Sequence, residues 1–137
     1  MIIKVKRVNE AFEMVGTNER GDKVNLDAAT KIGGGDSAFR PMQLLLVGLA
    51  SCSAIDILNI LYKQKQEVQS FEIEVEADRT SEIPSIFENI RVMIKISGAI
   101  SEIKLEKAIR LTTTKYCSVY KILQPTTSLT YNYELKN

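Results

Sequence analysis

The chain has 137 residues, 18 basic and 17 acidic, with a formal charge of +1, so it carries no field to draw nucleic acid or an anionic membrane surface. It contains two cysteines, Cys52 and Cys117, and no histidine. That absence removes the usual general base, the commonest metal ligand and every Ser/His or Cys/His catalytic arrangement, and two widely spaced thiols alone make a poor zinc site.

The length fits one domain, 1–137. Residues 2–7 alternate apolar and charged and predict a first strand; Phe12, Met14 and Val15 predict a second. Asn18-Glu19-Arg20-Gly21-Asp22 is a turn, and Val24 and Leu26 mark a third strand, completing an antiparallel meander. Lys31 to Arg40 contains Gly33-Gly34-Gly35. With no Gly-Lys-Ser/Thr and no Gly-x-Gly-x-x-Gly, it reads as a loop rather than a phosphate cradle. Pro41 then opens a helix running to about Gln66. Leu44 to Leu49 is apolar on every side, so this half of the helix is expected to be surrounded. Cys52 lies near its middle, with Asp56 one turn later.

Phe71, Ile73, Val75 and Ala77 alternate with Glu72, Glu74, Glu76 and Asp78, a strand with one apolar and one acidic face. After a connection over 79–87, Ile90, Val92, Ile94 and Ile96 alternate with Arg91 and Lys95, which can meet those acids across an antiparallel hairpin. The apolar face of the hairpin is expected to rest on the long helix. Ser101 can cap a second helix, with Leu105, Ala108, Ile109, Thr112 and Tyr116 on one stripe. Thr112-Thr113-Thr114 is a poor helix interior and predicts a break. Cys117 follows it, at the start of a short helical turn over Ser118 to Leu123, a position where a thiolate is favoured. Leu129, Tyr131, Tyr133 and Leu135 alternate in a last strand.

The start of the chain is charged too early for a signal peptide. Its longest charge-free run, Pro41 to Ile55, covers 15 residues, short of the ~20 that cross a bilayer. A cytoplasmic protein with no membrane or nucleic-acid partner is expected. In that compartment thiols are more often catalytic or redox-responsive than structural staples. Taken alone, Cys52 reads as a small buried hydrophobe. Asp56 reads as a helix polar group bonded to solvent or across a dimer, and Phe39 and Tyr116 as core or interface aromatics.

The order of these elements, with Pro41-Met42-Gln43-Leu44-Leu45-Leu46, Ser51-Cys52-Ser53-Ala54-Ile55-Asp56 and Lys115-Tyr116-Cys117-Ser118-Val119, resembles the OsmC/Ohr family of osmotically inducible and organic hydroperoxide resistance proteins, nearest its YhfA-like branch. The resemblance implies an α+β fold, an intertwined homodimer and a cysteine pair near the dimer interface, with no cofactor. It implies that Cys52 attacks the O–O bond of an organic hydroperoxide, that Cys117 resolves the product as a disulfide, and that an external dithiol of lipoyl type regenerates the pair. It further implies an activating arginine paired with a helix glutamate near the proline. Here Met42 and Gln43 stand where the glutamate is expected, and the arginine candidates are Arg40, Arg7 and Arg20 in that order. Gln43 could orient an arginine through its amide oxygen. The missing glutamate leaves a second reading open, a dimeric small-molecule-binding or redox-sensing module without turnover.

Overall fold

A computed structural model describes residues 1–137. The chain divides into two compact units, Met1–Val47 and Gly48–Asn137, with the boundary inside its long helix.

In the first unit β1 (Lys4–Arg7), β2 (Met14–Thr17) and β3 (Lys23–Leu26) form the expected antiparallel meander. The β2–β3 turn is organised by Asn18, whose side-chain carbonyl accepts the N–H groups of Arg20 and Asp22, both at 3.0 Å. The glycine-rich stretch after β3 is a loop wrapped around Asp27, a buried carboxylate. Asp27 accepts the N–H groups of Ala28, Gly35 and Ser37 and the Ser37 hydroxyl, at 2.7–3.2 Å. Gly34 is required there because a Cβ would collide with the Ala28 carbonyl. Its glycines let backbone approach backbone.

The Ala28 N–H, then the Ser37 hydroxyl, hold the Asp27 carboxyl below its ordinary value. A carboxyl lowered on folding contributes stability that is present above its unfolded pKa and lost as pH falls through the folded one. Asp27→Asn is therefore expected to lower stability at neutral pH and to flatten the loss below about pH 4, where an ordinary aspartate titrates. Urea unfolding midpoints across that range measure it.

The long helix, α1, spans Pro41–Lys63. It stops three residues before the expected end because Lys65 turns left-handed (φ 56°) and the Gln66 N–H reaches back to the Leu61 carbonyl at 3.0 Å, a Schellman closure. By length and composition alone such a helix could cross a membrane, a property shared by core helices of folded domains. The expectation that Leu44–Leu49 is surrounded fails within one chain: Leu45 and Val47 are each 44% exposed. So few residues cannot enclose a helix that is apolar on every side.

The second unit carries the main sheet, β4 (Glu67–Arg79), β5 (Phe87–Ala99) and β6 (Ser128–Lys136), with β5 central. β4 and β5 pair antiparallel with Glu72 opposite Lys95 and Glu76 opposite Arg91, as the alternation implied. Arg91 bonds Asp78 at 2.9 Å and Glu76 at 3.3 Å, and Lys95 bonds Glu74 at 3.1 Å. β6 runs parallel to β5 because the helical segments between them cross over to return the chain to the end of the sheet at which β5 begins. One face of β5 buries Ile90, Val92, Ile94 and Ile96; with Leu49, Ile57 and Leu61 of α1 and Leu105 and Ala108 of α2 (Glu102–Leu111) they make the core. The predicted break after α2 is a π-helical turn over Thr112–Tyr116, followed by α3 (Ser118–Leu123). Phe39 and Tyr116, expected in a core or an interface, are each 48% exposed in the single chain.

Candidate functional site

Within α1, Leu49, Ser53, Ile57 and Leu61 recur every four residues and form the buried stripe of the second unit. Cys52 and Asp56 sit one position before two of them, on the flank of that stripe, and are half-buried. Cys117 arrives from the other side. The π turn ends at Tyr116 and the Cys117 N–H bonds the Thr112 carbonyl at 2.8 Å, after which Cys117 is the N-cap of α3. The expectation of Cys117 at a helix start is met. Its sulfur accepts the Tyr120 N–H at 3.4 Å, a capping role usually filled by an oxygen.

These elements bring the two sulfurs and an Asp56 carboxylate oxygen within 4.8 Å of one another. Both thiols are free. A disulfide needs its sulfurs at about 2.05 Å, so the two must draw together before a bond can form. Ser53 extends the cluster: its hydroxyl lies 3.6 Å from the Cys117 sulfur and 2.8 Å from the Tyr131 hydroxyl on β6. The Tyr120 and Tyr131 rings meet edge to face, 5.9 Å between centroids, and wall this side.

Burial pushes the Cys117 thiol up, the Tyr120 N–H and the Ser53 hydroxyl pull it down, and the neighbouring Cys52 sulfur pushes it up further. Cys117 therefore rests as a protonated thiol at neutral pH and must give up that proton in any step in which its sulfur attacks. In Cys52→Ser, alkylation of Cys117 by iodoacetamide is expected to titrate above the ordinary cysteine value of about 8.5, since burial, the larger cause, remains. A pH profile of the alkylation rate tests this. Burial also pushes the Tyr131 phenol up, so it stays a neutral hydroxyl beside Ser53.

Within a single chain the Asp56 Oδ2 is buried without any hydrogen-bond partner, and burial pushes the carboxyl above its ordinary value.

The other expected site residues belong to the first unit. Arg7 spends its guanidinium on the carbonyls of Glu10 and Ala11 in the turn after β1. Arg20 pairs with Asp22 at 2.7 Å. Arg40 donates through Nη2 to Asp36 at 2.6 Å, while its Nε is buried and unpaired. Gln43 does not orient that guanidinium. Its amide oxygen accepts the Arg40 backbone N–H at 3.0 Å, because an amide one turn into a helix reaches its own N-terminus first. The sequence reading missed Asp36 as the carboxylate beside Arg40, although a four-residue separation offered the clue. It also missed Ser53 and Tyr131, which only the packing of α1 on β6 brings to the sulfurs.

The OsmC-like protein family model matches residues 33–132, which include both cysteines. The chain is 31% identical to Protein YhfA of Escherichia coli K12 over 136 residues, 98% of each chain. A hypothetical protein of Aquifex aeolicus superposes with a TM-score of 0.86 at 32% identity, covering 98% of this chain and 95% of that one. An organic hydroperoxide resistance protein OsmC of Legionella pneumophila, described as a predicted redox protein, shares the fold at a TM-score of 0.74 and 17% identity, with 97% and 95% covered. With its cysteines on the long helix and at the end of the π turn, this chain belongs to the OsmC-like protein family.

Proposed function

We propose that the protein is a homodimeric, thiol-dependent reductase of organic hydroperoxides acting in oxidative-stress defence in the cytoplasm. The observation that carries this is the approach of two free sulfurs, Cys52 and Cys117, to within 4.8 Å in a chain of this family. The Cys52 thiolate attacks one peroxide oxygen, the O–O bond breaks, and the alkoxide leaves as an alcohol after taking a proton. Cys52 is left as a sulfenic acid. The Cys117 thiol then displaces its hydroxyl as water, and the resulting disulfide protects Cys52 from irreversible oxidation. An external dithiol of lipoyl type returns both thiols.

Arg40 is the arginine to which we assign activation. Arg7 and Arg20 are tied to their own turns through both Nε and Nη2, whereas Arg40 is held by Asp36 through Nη2 and its Nε is buried without a partner. Asp36 would supply the carboxylate that the helix lacks at Met42 and Gln43. A homodimer would account for the apolar residues that α1 exposes, Leu45 and Val47 at 44% and Ile55 at 67%.

The second reading, a redox-sensing or small-molecule-binding module, is favoured by one observation: the helix position where a carboxylate is expected carries Gln43, already engaged by its own backbone. Peroxide consumption with excess dihydrolipoamide separates the two. Many turnovers per chain support the reductase; a single oxidation that no dithiol reverses overturns it.

A further inference from the structure

Three groups at the site have the character of metal ligands, and one of them has no partner. Cys52 and Asp56 lie four residues apart on one face of α1, and Cys117 faces them from the start of α3. Their ligand atoms are mutually within 4.8 Å. A tetrahedral zinc ion, with Zn–S about 2.3 Å and Zn–O about 2.1 Å, sets its sulfurs about 3.8 Å apart and each sulfur about 3.6 Å from the oxygen. The cluster is within roughly 1 Å of that spacing. Asp56 Oδ2 is buried with no donor, although buried carboxylate oxygens ordinarily have one. A cation between the three groups satisfies it.

We propose that the reduced protein binds one soft divalent cation, of the zinc class, through Cys52 Sγ, Cys117 Sγ and an Asp56 carboxylate oxygen. Two thiolates and a carboxylate select a thiophilic ion over magnesium or calcium, which take oxygen ligands. The Tyr120 N–H already donating to Cys117 acts as the outer support that orients a metal-bound thiolate. Binding releases the two thiol protons and forms two metal–sulfur bonds with no change of oxidation state, so the affinity falls in acid. Three protein ligands leave the fourth tetrahedral position open to water or to an incoming thiol. Because this inference needs no peroxide chemistry, it stands or falls separately from the reductase reading.

The test uses the full-length reduced protein under anaerobic conditions, titrated with Co2+ alone. The expected result is an intense thiolate-to-cobalt charge-transfer absorption with tetrahedral d–d bands, saturating at one ion per chain and displaced by Zn2+. Cys52→Ser and Cys117→Ser should each remove about half of the charge-transfer intensity. Asp56→Asn should weaken binding by at least ~100-fold, beyond the roughly 10–100-fold that loss of an outer partner costs. Asn59→Ala, on the same helix but exposed and outside the cluster, should leave the spectrum unchanged, and an unaltered far-UV circular dichroism spectrum in every variant separates loss of a ligand from loss of the fold. A weak octahedral spectrum without charge transfer, or an Asp56→Asn protein that binds Co2+ as tightly as the wild type, overturns the proposal.

Discussion

Cys52→Ser is expected to abolish hydroperoxide consumption, while Cys117→Ser loses turnover, reducing one equivalent to reach a sulfenic acid and further peroxide only as that acid over-oxidises. The asymmetry follows from the surroundings of the two sulfurs. Cys117 is 4% exposed, caps α3 with its sulfur and is kept protonated chiefly by burial, so it makes a poor first nucleophile. Cys52 is half-buried on the flank of the α1 stripe. Without Cys117 the sulfenic acid formed at Cys52 has no neighbouring thiol and accumulates. A sulfenic-acid-specific probe with intact-mass measurement detects it, and continued peroxide drives it on to the sulfinic acid. Equal activity in the Cys52→Ser protein would assign the chemistry elsewhere.

The largest loss of stability is expected for Ile57→Ala. Ile57 is fully buried in the stripe that fixes α1 in the core of its unit, one residue beyond Asp56. Truncating a buried isoleucine to alanine costs about 2–5 kcal/mol through lost transfer free energy and the cavity left behind. That is a large share of a typical domain stability of about 5–15 kcal/mol. A Tm lower by roughly 6–20 °C is the thermal equivalent. Because Cys52 and Asp56 ride on the same helix, disulfide formation in this variant should also slow. Ile55→Ala, on the exposed side of α1, should cost a single chain far less, so any loss it shows that grows on dilution measures a contact between copies.

Where one residue pattern decides an element, the sequence was sufficient. Strict alternation in Phe71–Asp78 and Ile90–Ile96 led to β4 and β5, and complementary charge led to their antiparallel pairing, though not to the register. Three threonines in a row foretold the break after α2, though not that a π turn would fill it and deliver Cys117 to Cys52. The parallel direction of β6 was not legible, because alternation is the same in either direction. The first half of α1 misled for a different reason: all-round apolarity is a property of the segment alone and does not say how much of the chain folds over it, and Leu45 and Val47 stay 44% exposed. At the site, the family resemblance pointed to both cysteines, and the fold brings their sulfurs near each other. Asp36, Ser53 and Tyr131 were not, since their roles depend on a loop closing back on Arg40 and on a strand arriving beside α1.

The most direct measurement is to add one equivalent of an organic hydroperoxide to the fully reduced protein, block remaining thiols with an alkylating agent, and map cross-linked peptides without reduction. A Cys52–Cys117 disulfide within one chain, with no thiol left to alkylate, is the predicted result. Two alkylated cysteines after treatment, or a disulfide joining different chains, would contradict it.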